Sequence, residues 1–92
     1  MSSLKYAHND WFSQSIPTLQ KYVVPLKGED PFRILEIGCF EGRSSVWFME
    51  NINTSEKDLL VCVDNFKGGH DLGWADMEEV RTNFLNNVDP YA

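Results

Sequence analysis

Two short apolar runs restrict what this 92-residue chain can fold into. The first, Phe32 to Ile37, is broken only by Arg33 and Glu36 and is closed by Gly38. The second, Leu59-Leu60-Val61-Cys62-Val63, is unbroken and is closed by Asp64. Runs of this length and composition, bounded by turn residues, predict strands buried on both faces. Between them, Gly42-Arg43-Ser44-Ser45 opens a helix through about Asn51, with Val46, Trp47 and Met49 free to pack. After them, Asn65 to Gly73 reads as a glycine-containing loop. Trp74 to Asn87 reads as a second helix, with Trp74, Met77, Val80, Phe84 and Val88 at helical spacing and Asp89-Pro90 as its stop.

The segment before the first run is helical in one or two pieces, over residues 10 to 24. Asp10 can cap Trp11-Phe12-Ser13, and Ser15 can cap a second piece with Pro17 near its first position. Ile16, Leu19, Tyr22 and Val23 form one apolar stripe, Pro25 ends it, and Lys27 to Pro31 is a polar loop. The order is helix, strand, helix, strand, helix, which implies an α/β fold with two parallel strands and right-handed crossovers. Two parallel strands leave both sheet edges unpaired. The expectation is one partial domain over 1–92: a helical segment at 1–31, then a strand-helix-strand-helix half at 32–92. It reads as the beginning of an incomplete Rossmann-like, doubly wound sheet.

Charge and composition exclude several roles. The formal net charge is -6, from 14 acidic and 8 basic residues. A broad nucleic-acid footprint needs a basic face, so nothing points directly to nucleic acid, and an anionic membrane surface is disfavoured too. No stretch approaches the roughly 18 to 20 apolar residues of a membrane span. Ser2, Ser3, Lys5, His8, Asn9 and Asp10 interrupt any leader-like run. Cys39 and Cys62 are far apart, outside any Cys-x-x-Cys pattern and in apolar surroundings, which predicts buried free thiols. A reduced, cytoplasmic setting is expected. His8 and His70 have no partners at metal-ligand spacing, so no metal site is expected.

The chemistry is carried by the turn that closes the first strand. Ligands of open parallel sheets bind at the carboxyl ends of the strands. Gly38 permits a turn that a Cβ would hinder, and Gly42 lets the next helix start close to the strand and to a ligand. The unpaired N–H groups of that helix favour an anionic group. A dinucleotide fingerprint would need glycines where Phe40 and Arg43 stand. A phosphate-binding loop would need a glycine at Ile37 and a lysine at Arg43. The pattern present is Glu36-x-Gly38-x-x-x-Gly42.

In that pattern the chain resembles the class I S-adenosylmethionine-dependent methyltransferases. Ile34 to Ser45, followed by Val63-Asp64-Asn65-Phe66-Lys67-Gly68-Gly69, is most similar to a bacterial and viral branch. Its turn reads L-E-I-G-x-F-E-G-R-S. Asp10-Trp11-Phe12-Ser13 and Ile16-Pro17 look similar to the helix that precedes the fold there. The resemblance implies S-adenosylmethionine as cofactor and roles for eight residues. Gly38 and Gly42, with Cys39 and Phe40 between them, would shape the turn beside the methionine half. Glu36 would orient that turn or accept hydrogen bonds near the cofactor's ammonium group. Asp64 would bind the ribose hydroxyls, since a carboxylate can accept two hydrogen bonds from a vicinal diol. Asn65 and Phe66 would border the adenine. The resemblance names no catalytic residue within 1–92, because substrate contacts and any base usually come from later strands. A chain that stops before them is expected to be inactive alone.

Plainer roles stand beside these. Glu36 can be a carboxylate satisfied by the following helix, Asp64 an Asx-turn, and Phe40 and Phe66 packing residues. Trp11, Trp47 and Trp74 are core or interface residues by default, and His70-Asp71 fits a solvated loop. At the level of the whole chain, the alternatives are a small non-catalytic interaction module that pairs with itself or a partner through an open strand edge and a different nucleotide-binding α/β protein.

Overall fold

The computed structural model describes residues 3–28, 31–68 and 76–91. Its elements are α1 (Ile16–Tyr22), β1 (Arg33–Ile37), α2 (Arg43–Asn51), β2 (Leu59–Val63) and α3 (Met77–Val88). Single 3-10 turns lie at Ser13–Ser15, Val24–Leu26 and Asp89–Tyr91. The expected order of helix, strand, helix, strand, helix is therefore present. β1 and β2 pair in parallel, with Arg33 opposite Leu59 and Ile37 opposite Val63. The Gly38 N–H extends this ladder to the Val63 carbonyl at 2.8 Å.

The sheet is covered on one face only. Ile34, Glu36, Leu60 and Cys62 point to the side that carries α2 and are half-buried. Leu35, Ile37, Leu59, Val61 and Val63 point the other way and are exposed, Ile37 to 77% and Leu35 to 63%. The expectation of strands buried on both faces is corrected here. Composition reports that a strand is apolar, but burial of its second face needs a second layer. Among the described residues no element packs there, and an aliphatic patch results.

The core lies between the covered face and the helices. Ile52, at the end of α2, and Val80, in the first turns of α3, are fully buried. Each such side chain contributes about 1.5–3 kcal/mol through removal from water. Phe12, Trp47 and Phe48 form an aromatic cluster, with Phe12 5.9 Å from Trp47 and 6.4 Å from Phe48 between ring centroids. α2 contains Val46, Trp47 and Phe48, which are middling helix formers. Its stability rests on this packing and on its first turn, described below.

The N-terminal region follows its local signals in part. The Asp10 carboxylate accepts from the N–H groups of Phe12 at 2.9 Å and Ser13 at 2.8 Å, as its capping role requires. Ser15 precedes α1 without a side-chain cap: it continues from the 3-10 turn in helical backbone, φ -90 and ψ -10, where a capping side chain needs extended backbone. α1 ends at Tyr22, and Pro25 falls inside the 3-10 turn that follows. Tyr22 leaves the expected stripe and is exposed. At the other end, α3 begins at Met77, where Asp76 accepts from the Glu78 and Glu79 N–H groups at 3.1 and 3.3 Å. Trp74, with Gly69, His70, Asp71 and Gly73, lies outside the described residues.

Candidate cofactor site

The parallel pairing brings the carboxyl ends of β1 and β2 side by side, so Gly38 and Asp64 share one rim. Gly38 has φ +80, and no atom lies within 4 Å of where its Cβ would stand. The open space beside it belongs to a pocket of about 210 Å³ lined by Gly38, Phe40, Asp64, Asn65, Gly68 and Met77. A second pocket, of about 190 Å³, meets the same turn. Gly38 and Phe40 line it too, with Cys39, Arg43, Asn9 and Trp11 among its walls.

Asp64 ties the two strand ends together. One carboxylate oxygen accepts from the Phe40 N–H at 3.1 Å and the other from the Phe66 N–H at 2.8 Å. The second bond makes the Asx-turn that the sequence allows. The first bond is long-range and fixes the glycine turn against β2. Each oxygen keeps a second lone pair for a hydroxyl donor. Phe40 and Phe66 both have positive φ, 48 and 53. A left-handed conformation costs a non-glycine residue roughly 1–2 kcal/mol, so these two bonds hold backbone that would otherwise relax.

Glu36 turns inward. Its two carboxylate oxygens accept from the hydroxyls of Ser44 and Ser45, and the Cys62 thiol lies 3.7 Å from Oε1. A negative charge beside the first turn of α2 is favoured by the helix dipole. Glu36 therefore anchors the start of α2 to the sheet. Gly42 caps α2 with φ +88, and a Cβ there would stand 3.2 Å from Phe84 Cδ1 and 3.5 Å from Val88 Cγ1. What the absent side chain admits at close range is α3.

The two phenylalanines also pack. Phe40 lies 5.4 Å from the His8 ring and 5.3 Å from Trp11, and Phe66 lies 5.5 Å from Phe84. Asn65 is exposed at the pocket rim, and its Oδ1 accepts from the Lys67 N–H at 2.9 Å. Cys39 is 3% exposed and, like Cys62, is a free cysteine. Burial pushes the Cys39 thiol up to about 12, helped by nearby Cys62, Asp64 and Glu36, so it has no thiolate character at neutral pH. Among the described residues no cluster of His, Cys, Asp or Glu could hold a metal ion, and no helix is long and apolar enough to cross a membrane.

The residue that sequence reasoning missed is Glu41, which is 2% exposed. Its carboxylate accepts from the N–H groups of Ala7 and His8, both at 3.0 Å, and from Asn83 Nδ2 at 2.7 Å. His8 Nδ1 lies 3.2 Å from Oε1. Burial raises the carboxyl's affinity for a proton, but the hydrogen bonds from Asn83, Ala7 and His8 outweigh it and leave the pKa below the ordinary value. The signal that could have found this cluster lies in α3. Asn83 and Asn87 share the apolar spacing of Val80, Phe84 and Val88, and polar residues at core positions imply buried partners.

No known protein family, curated protein or solved structure matches this chain.

Proposed function

We propose that this chain is the S-adenosylmethionine-binding portion of a class I methyltransferase. The observation that carries the reading is the shared rim. A glycine turn with open space at its Cβ position adjoins a carboxylate at the end of the neighbouring parallel strand. Ligands of such sheets bind at this edge. The residues suit the cofactor: Gly38 leaves room beside its backbone, and Asp64 retains lone pairs for the ribose hydroxyls.

Gly38, Cys39 and Phe40 would border the methionine half, Asp64 the ribose, and Asn65 and Phe66 the adenine side. Glu36 and Gly42 would act through the turn, Glu36 by fixing the first turn of α2 and Gly42 by admitting α3. The cofactor, when bound, supplies an electrophilic methyl group. This chain's residues bind and orient it, and alignment is the larger part of the protein's contribution to such a displacement. Each pocket is smaller than the roughly 300 Å³ at the low end of ligand clefts, so a ligand of this size would have to use both pockets that meet at Gly38 and Phe40.

The bare aliphatic face of the sheet favours a second reading, a non-catalytic module that associates with itself or with a partner. Calorimetric titration with S-adenosylhomocysteine separates the two when paired with the oligomeric state. Saturable binding that is lost in an Asp64→Ala variant still folded by circular dichroism supports the cofactor site. A stable dimer without such binding, in a chain that circular dichroism shows to be folded, supports the module.

A further inference from the structure

Residues 3–10 cross the molecule without helix or strand structure of their own. Side chains from elsewhere hold them. Asn86 Nδ2 donates to the Ser3 carbonyl at 2.9 Å. Asn87 takes both backbone groups of Lys5, accepting the N–H at 2.7 Å and donating to the carbonyl at 2.9 Å. Arg43 lies 4.0 Å over the Tyr6 ring and donates to the His8 carbonyl at 3.3 Å. Glu41 takes the next two N–H groups, those of Ala7 and His8. Ring anchorage comes from Tyr6 and His8, which are half-buried, with His8 against Phe40, while Leu4 and Ala7 are exposed. A segment held mainly by polar bonds and half-buried rings belongs to the low-stability end of a fold.

The attachment changes character at Asp10. From there the chain is fixed locally, by the bonds from Phe12 and Ser13, and Arg43 Nη1 stands 3.7 Å from Asp10 Oδ2. The residues on either side of this point, Asn9 and Trp11, line the pocket at Cys39 and Phe40.

We propose that residues 3–10 are a strap that opens as a unit about Asp10, with the buried Glu41 carboxylate as its latch, and that its opening gives access to the pocket at Cys39 and Phe40. Glu41 suits the role because its other partners stay with the body of the fold. Asn83 holds the carboxylate from α3, and Asn87 Nδ2 donates to the Glu41 carbonyl at 2.8 Å. When the strap leaves, the latch stays in place to receive it again. The strap would open in the same way whatever the pocket binds.

The test is hydrogen exchange on the full 92-residue chain, read by mass spectrometry beside alkylation of Cys39. Glu41→Gln keeps the shape but loses charge and one acceptor. We expect exchange at Ala7 and His8 and alkylation at Cys39 to rise at least tenfold, with α3 amide protection unchanged. Ala7→Pro removes one donor from the strap itself and leaves the carboxylate intact. It should raise His8 exchange and Cys39 alkylation in the same way, and it decides the matter if Glu41→Gln disturbs the whole fold. Wild-type rates in both variants would overturn the proposal. So would release of the strap only together with α3, because the strap would then not be a separate unit.

Discussion

The Asp64 carboxylate, at the end of β2, accepts the backbone N–H of Phe40, which lies in the turn that closes β1. The same side chain also takes the Phe66 N–H. One residue thus holds two left-handed phenylalanines and joins two strand ends. Hydrogen bonds to a charged group contribute about 1.5–3 kcal/mol each. Asp64→Ala should therefore lower the thermal midpoint clearly and abolish titratable S-adenosylhomocysteine binding. A chain that keeps its midpoint would show that water replaces the carboxylate at both amides.

The two glycines of the turn should separate in their effects. Gly38→Ala strains a left-handed position but meets open space, so its stability cost is about 1–2 kcal/mol. Its methyl group enters the candidate pocket, and ligand affinity should fall. Gly42→Ala carries the same strain and also presses on Phe84. Urea unfolding should find Gly42→Ala the less stable of the two. The reverse order would sink the packing role assigned to Gly42.

Acid should weaken the fold through depressed carboxylates. Hydrogen bonds from the Lys27 ammonium and the Phe32 N–H hold Asp58 at about 2, and those from the Ser13 hydroxyl and N–H hold Asp10 at about 2. The folded values lie below the unfolded ones, so the unfolded chain binds more protons in the interval between them. The stabilisation is complete above the ordinary carboxylate range and is lost as pH falls from 3.8 toward about 2. Thermal midpoints measured down that interval should drop, and Asp58→Asn should flatten the drop. An identical slope in the variant would assign the acid sensitivity to other groups.

The bare sheet face should respond to charge. Leu35 and Val61 are exposed on it. They sit directly opposite each other, so Leu35→Lys with Val61→Glu places opposite charges side by side. The pair should cost little stability, since neither side chain is buried, and should reduce dye binding and self-association. Sedimentation of the double variant checks this. A large loss of stability would mean that the face is covered in solution.

Much of the architecture was legible because its signals are local. Strand-length apolar runs ended by Gly38 and Asp64, the helix starting after Gly42 and the Asp10 cap each depend on a few consecutive residues. The candidate rim followed from them, because parallel pairing puts adjacent strand ends together. Other features depend on tertiary placement, which chooses between roles the sequence left open or did not suggest. Glu36 could have faced a ligand, but only the position of α2 sets its oxygens against Ser44 and Ser45. Glu41 reads as a loop carboxylate until Ala7, His8 and Asn83 close around it.

The sequence by itself therefore determined which elements form and where a ligand-facing turn can lie, since backbone propensity and apolar period act over a few residues. Only the tertiary structure decided which face of the sheet is covered, what Gly42 makes room for and which acid is buried. Those outcomes depend on layers and partners tens of residues away, and a carboxylate loses its water only where such partners replace it.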